Sequence, residues 1–112
     1  MRLITAIIQP HALEGVVQAL RSAGGHGVTI TEVVGSGRQG GHTEIYRGTE
    51  YRIDTIPKIK VEVLAAEDEE QHVIDVIVQA ARTGQIGDGK VWSTAVDTVV
   101  RVRTGETGED AL

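Results

Sequence analysis

The chain has 112 residues, of which 40% are hydrophobic and 24% charged, with no cysteine and a net charge of −5. That is the length and composition of one soluble globular domain with a small core. It excludes disulfide and thiolate chemistry, argues against nonspecific nucleic-acid binding, which needs a cationic surface, and offers no apolar run near the ~20 residues of a membrane helix. Phenylalanine is absent and Trp92, Tyr46 and Tyr51 are the only aromatic residues, so the core must be aliphatic. The start, MRLITAIIQPH, has a short apolar run but no small-residue cleavage site; it reads as a mature start, with the cytoplasm as the expected compartment.

Residues 3–8 (LITAII) form a short, β-branched, apolar run that suits a buried strand, ended by Pro10. From residue 12 to residue 23 the period changes. Leu13, Val16, Val17 and Leu20 make the i, i+3, i+4, i+7 stripe of an amphipathic helix, stopped by Gly24, Gly25 and Gly27. Residues 28–34 (VTITEVV) alternate as a half-buried strand does. An irregular stretch, residues 35–57, follows. Residues 58–64 (KIKVEVL) then alternate cleanly, with Ile59, Val61 and Val63 opposite Lys58, Lys60 and Glu62.

Glu67, Asp68, Glu69 and Glu70 open a second helix, where a helix N-terminus favours negative charge. Val73, Ile74, Ile77, Val78 and Ala81 form its stripe, and Arg82 and Gly84 close it. The turn GQIGDG leads into residues 90–103, whose end alternates as a strand. The tail TGETGEDAL is small, acidic and expected to be mobile.

The order βαββαβ predicts an α+β, ferredoxin-like fold, with both helices on one face of a four-stranded antiparallel sheet. Neither face of the first strand is polar: Ile4, Ala6 and Ile8 oppose Leu3, Thr5 and Ile7. The helix-free face therefore needs a cover, either another subunit or a loop.

The stretch at 35–57 exceeds the usual loop length for a compact domain and holds both tyrosines, in YRGTEYR. They present an exposed recognition or modification site, or they pin the loop by packing. Its first part, GSGRQGG, matches G-x-G-x-x-G. The Rossmann fingerprint must open a helix, and the following HTEIYRGTEY has no helical stripe, so that reading fails. The glycines still permit a backbone anion nest.

The second glycine-rich stretch, GQIGDGKV, approaches a Walker A motif, but Val91 stands where the Mg²⁺-binding hydroxyl is needed. What remains is a turn of backbone N–H groups with the charge of Lys90. Arg101 and Arg103, two apart on the expected strand, would add two guanidinium groups on one face. Together these read as a phosphate site; the alternative is a solvated cationic edge paired with Asp97 or Glu106. His11, His26, His42 and His72 are scattered and lack zinc-ligand spacing. No nucleophile motif is present, which points away from an enzyme.

At GSGRQGGHTEIYRGTEY, TGQIGDGKVW and VRVRTGE the chain resembles the PII signal-transduction proteins, of the GlnB/GlnK type, along almost its whole length. The ending VRVRTGETGEDAL is similar to those of actinobacterial members. The resemblance implies a single domain, residues 1–112, forming a ferredoxin-like homotrimer with ATP or ADP in clefts between subunits. It also implies a long insertion, the T-loop, at about residues 36–56.

By position, Gly87, Asp88, Gly89 and Lys90 would embrace the phosphates, with Arg101, Val102 and Arg103 from a neighbouring subunit. Gly35, Gly37 and Arg38 would contribute at the base of the insertion, while Thr29, Glu62 and the Leu64 backbone would frame adenosine. Gln39 would contact Mg²⁺ and 2-oxoglutarate, and Lys58 would pair with a 2-oxoglutarate carboxylate. Tyr51 matches a tyrosine that carries a nucleotidyl group in many bacterial members, adenylyl in actinobacterial ones. The implied partners are an ammonium channel, a nucleotidyltransferase or a regulator of glutamine metabolism, with no nucleic acid and no membrane insertion.

Two departures stand near the 2-oxoglutarate end: Gln9 replaces a usual basic residue and Gly40 a usual lysine. Fewer cations weaken the hold on a dianion. A sensor of adenine nucleotides alone is therefore the second reading. An acylphosphatase-type enzyme, which shares the fold, is a third, against which QPHALEG offers no arginine after the first strand.

Overall fold

The computed structural model describes residues 1–36, 42–46, 49–53 and 55–112, with side chains described outside residues 37–54. In chain order the elements are β1 (Arg2–Ile8), α1 (Leu13–Ser22), β2 (Thr29–Gly35), β3 (His42–Tyr46), β4 (Thr49–Ile53), β5 (Ile56–Ala65), α2 (Glu70–Ala81) and β6 (Gly89–Ala95). Short 3-10 turns at Pro10–Ala12 and Glu67–Glu69 lead into the two helices, and a third, Gly108–Ala111, ends the chain.

The main sheet has the order β2-β5-β1-β6, and every neighbouring pair is antiparallel. With both helices packed on one face, this is the expected ferredoxin-like fold. β1 sits at the centre because it is apolar on both faces; its core-facing Ile4, Ala6 and Ile8 are buried. Opposite them lie Ile59, Val61 and Val63 from β5, Val16 and Leu20 from α1, and Val73 and Ile77 from α2. The core is aliphatic throughout. Burying one such side chain contributes about 1.5–3 kcal/mol, so these residues dominate the folding free energy.

Local chemistry sets the ends of the helices. α1 stops where Gly25 takes φ +68°, a conformation glycine adopts without a Cβ penalty. Before α2, the Glu69 carboxylate reaches back to accept from the Ala66 N–H at 3.1 Å. That bond, with a smaller contribution from His26, holds Glu69 below the usual carboxylate range. Among the described residues no helix is long and apolar enough to cross a membrane.

Three expectations need correction. Residues 35–57 are not wholly irregular: β3 and β4 pair antiparallel, from His42↔Ile53 to Tyr46↔Thr49. HTEIY and TEYRI carry the β-branched and aromatic residues that suit a ribbon. The second concerns residues 98–103, expected to continue the last strand. β6 ends at Ala95, whose partner is Arg2, the first residue of β1. One further bond, from the Val96 N–H to the Met1 carbonyl at 3.0 Å, closes that ladder. Among the described residues, 98–103 take no partner in the main sheet, and a strand without a partner leaves its polar groups unmatched. Residues 104–112, expected as a mobile tail, fold back here and supply that partner. Val100 bridges Thr107, Arg101 N–H donates to Glu106 O at 2.9 Å, and Gly108 N–H donates to Val99 O at 3.0 Å.

Candidate functional site

The turn between α2 and β6 is braced from within. The Asp88 carboxylate accepts from the Thr83 N–H at 2.7 Å, the Gly84 N–H at 2.9 Å and the Thr83 hydroxyl. The Thr83 hydroxyl and N–H, then the Gly84 N–H, hold its carboxyl below the usual aspartate range. Asp88 therefore serves as the internal tie of the turn, with its negative charge spent on local N–H groups. The resemblance places this residue at the phosphates without distinguishing its side chain from its backbone.

At the next residue the backbone passes against β1. Gly89 has φ +111°, and a Cβ there would stand 1.7 Å from the carbonyl oxygen of Ile7. The glycine spacing in GDGK is thus a condition for the turn to enter the sheet.

The turn is braced from without by β5. Lys58, only 9% exposed, donates from Nζ to the carbonyl oxygen of Gly87 at 2.8 Å. Its stem passes Gly35, where a Cβ would lie 3.3 Å from Lys58 Cγ. Gly35, Lys58 and Gly87 therefore meet at one corner, where the start of the insertion approaches the 84–89 turn.

The sheet register gathers the other expected residues on the helix-free face. One cross-strand row runs Thr29, Glu62, Thr5, Trp92; the next runs Thr31, Lys60, Ile7, Lys90. Neighbouring strands lie about 4.8 Å apart and alternate residues share a face. Thr29, Glu62, Leu64 and Lys90 are thus on one surface, with Lys90 at its turn end. Leu64 is 38% exposed and Trp92 44% exposed. Lys60 Nζ lies 4.0 Å from Glu62 Oε1.

Arg101 and Arg103 do not stand on a strand, which corrects the paired-guanidinium geometry. Arg101 donates from Nη1 to Glu106 Oε1 at 2.9 Å and from Nη2 to the Leu112 carbonyl at 3.1 Å. That is the alternative pairing with Glu106 left open by the sequence. Arg103 is exposed and Val102 is 99% exposed. Among the described residues neither arginine bonds to the 84–89 turn.

Gly37, Arg38 and Gln39 lie outside the described residues. Tyr51 belongs to β4, opposite Glu44, and its side chain lies outside them too. Among the described residues no cluster of three or more His, Cys, Asp or Glu side chains could hold a metal ion. The turn itself fits a polyanion: two positive-φ glycines, Gly87 and Gly89, flank backbone N–H groups, and Lys90 follows immediately.

Sequence reasoning did not anticipate three features: the Asp88 tie, the bond from Lys58 to Gly87, and Trp92 in the Glu62 row. The first had a signal, since aspartate in a glycine-rich turn tends to bond nearby backbone N–H groups. The other two depend on contacts between distant parts of the chain.

The family model for nitrogen regulatory protein P-II matches residues 1–106. The nitrogen regulatory protein P-II of Rhizobium meliloti (strain 1021) is 53% identical over 112 residues, covering all of both chains. The nitrogen regulatory protein P-II 2 of Methanothermobacter thermautotrophicus is also 53% identical, over all of this chain and 97% of its own length. The nitrogen regulatory protein GlnK of Escherichia coli (strain K12) is 51% identical over the full length of both.

Proposed function

The chain belongs to the nitrogen regulatory protein P-II family, and from that membership we propose that it is a cytoplasmic, trimeric sensor of ATP and ADP. The observation that carries this reading is the braced turn at Gly87–Lys90, standing at the end of the sheet face that bears Thr29, Glu62 and Leu64. A nucleotide needs an anion cradle at one end and a less charged surface for its base at the other, and this arrangement offers both. Backbone N–H groups and Lys90 receive the phosphates; Thr29, Glu62 and the Leu64 backbone frame adenosine. Arg101, Val102 and Arg103 of a neighbouring subunit complete the cleft. Trimer formation covers the half-apolar face that a monomer leaves open.

On this reading 2-oxoglutarate binds beside the nucleotide through Mg²⁺, Gln39 and Lys58. Each ligand biases which conformer of the insertion is populated, by differential affinity and with no chemistry on the effector. The insertion then presents itself to partner proteins: an ammonium channel, a nucleotidyltransferase that modifies Tyr51, or a regulator of glutamine metabolism. The protein acts by contact and not by catalysis.

Calorimetry tests this directly, with Mg·ATP and ADP, each with and without 2-oxoglutarate, on wild type and Lys90→Ala. Saturable nucleotide heat that weakens in Lys90→Ala supports the reading; no nucleotide heat overturns it. Gln9 and Gly40 favour a second version, an adenine-nucleotide sensor without a 2-oxoglutarate response. Nucleotide heat that is indifferent to millimolar 2-oxoglutarate selects that version.

A further inference from the structure

Building on the nucleotide-site reading, we infer that Lys58 is a positioning residue for the phosphate turn: it holds the peptide plane between Gly87 and Asp88 in one orientation. The carbonyl oxygen and N–H of a trans peptide point in opposite directions from one rigid plane. Holding the Gly87 oxygen at 2.8 Å from Lys58 Nζ therefore also aims the Asp88 N–H. Among the described residues that N–H makes one long internal bond, 3.4 Å to Gln85 O, so the ammonium dominates the setting of the plane.

The plane needs such a hold. Gly87 sits at φ +101° and Gly89 at φ +111°, and glycine passes between backbone regions more freely than any other residue. The Asp88 carboxylate anchors Thr83 and Gly84, on the upstream side of the turn. The Gly89 backbone is fixed against Ile7 on the downstream side. Between these two anchors Lys58 makes the shorter of the two described bonds to the 87–88 peptide, 2.8 Å against 3.4 Å. Its own position is well defined: the side chain is nearly buried, and Gly35 leaves room for its stem.

The test uses the full-length protein and Lys58→Met, which keeps the apolar stem and removes the donors. ¹⁵N relaxation dispersion on ligand-free samples reads microsecond-to-millisecond flipping at the Asp88 and Gly89 amides. A bond from a charged donor shifts a local equilibrium by about tenfold or more, so the flipped population rises by about that factor. Mg·ATP titration without any other ligand then shows a Kd raised about three- to tenfold. Lys58→Arg, which retains a donor, recovers most of both effects. Gly35→Ala, which displaces the Lys58 stem by a few tenths of an ångström, shifts both in the same direction by less, and serves if Lys58→Met does not fold. Unchanged dispersion at Asp88 and Gly89 in a folded Lys58→Met or Gly35→Ala protein overturns the inference. If wild type binds no nucleotide, the proposed function fails while the dispersion arm still decides the role of Lys58.

Discussion

Gly89 packs its backbone directly against Ile7: a β-carbon at residue 89 would stand 1.7 Å from the Ile7 carbonyl oxygen and 2.8 Å from its carbonyl carbon. Ile7 is in the central strand and cannot retreat. Gly89→Ala must therefore break the β1–β6 ladder at its first pair, Ile8↔Gly89, or strain the turn. A loss of roughly 3 kcal/mol or more is expected, from forced backbone displacement together with a positive φ. Gly15 is the control. It is exposed within α1 with no atom near its would-be Cβ, so Gly15→Ala should stabilise by about 0.5–1 kcal/mol. Urea unfolding of the two variants against wild type measures both.

The Asp88 tie makes stability depend on acid. Its folded-state pKa lies below the unfolded one, mainly through the Thr83 hydroxyl and the Thr83 and Gly84 N–H groups. Stabilisation is then complete above the ordinary aspartate value, about pH 4, and is lost as the pH falls through the folded value. The difference in urea midpoint between wild type and Asp88→Asn should be flat from about pH 5 to 7 and should narrow below about pH 4. A difference that stays constant down to pH 3 would mean that the carboxylate charge is not the cause.

The Arg101–Glu106 pair should compete with anionic ligands. Exposed pairs of this kind contribute about 0–1 kcal/mol and are screened by salt. On the proposed reading, Glu106→Gln releases Arg101 and lowers the nucleotide Kd by about two- to fivefold at low salt. The effect fades at high ionic strength. Weaker binding in Glu106→Gln would show instead that Glu106 orients the guanidinium for its ligand.

The helix-free face should mediate assembly. Leu64 and Trp92 are each more than one-third exposed in the single chain; on β1, the strand between them, Leu3 pairs with Leu64 and Thr5 with Trp92. Sedimentation of wild type is expected to give three times the 12.0 kDa chain mass. Leu64→Asp should give a smaller species with a red-shifted Trp92 emission, since the only tryptophan then meets water. An unshifted mass in Leu64→Asp would remove this face from the interface.

Much of the architecture was legible in the sequence. Hydrophobic period is local, so LITAII, VVQAL, KIKVEVL and VIDVIV announced their elements and buried faces without reference to the rest of the chain. The order of those elements then restricted the topology to the ferredoxin-like arrangement that the sheet adopts. The same period misled at residues 98–103. Alternation there promised a strand in the sheet, but strand pairing depends on a partner, and these residues pair with the returning tail, Val100 with Thr107.

What the sequence determined alone was therefore the aliphatic core, the two amphipathic helices, the alternating faces of the strands and the glycine-rich turn ahead of Lys90. Each of these follows from steric and solvation preferences acting over a few neighbouring residues. Only the tertiary structure decided that Lys58 would meet Gly87, that Gly89 would lie on Ile7 and that Arg101 would close on Glu106. The first two join segments brought together by register and crossing; the third needed the tail to reverse, bringing Thr107 beside Val100. Such contacts depend on the summed geometry of the chain, so local residue pattern does not encode them.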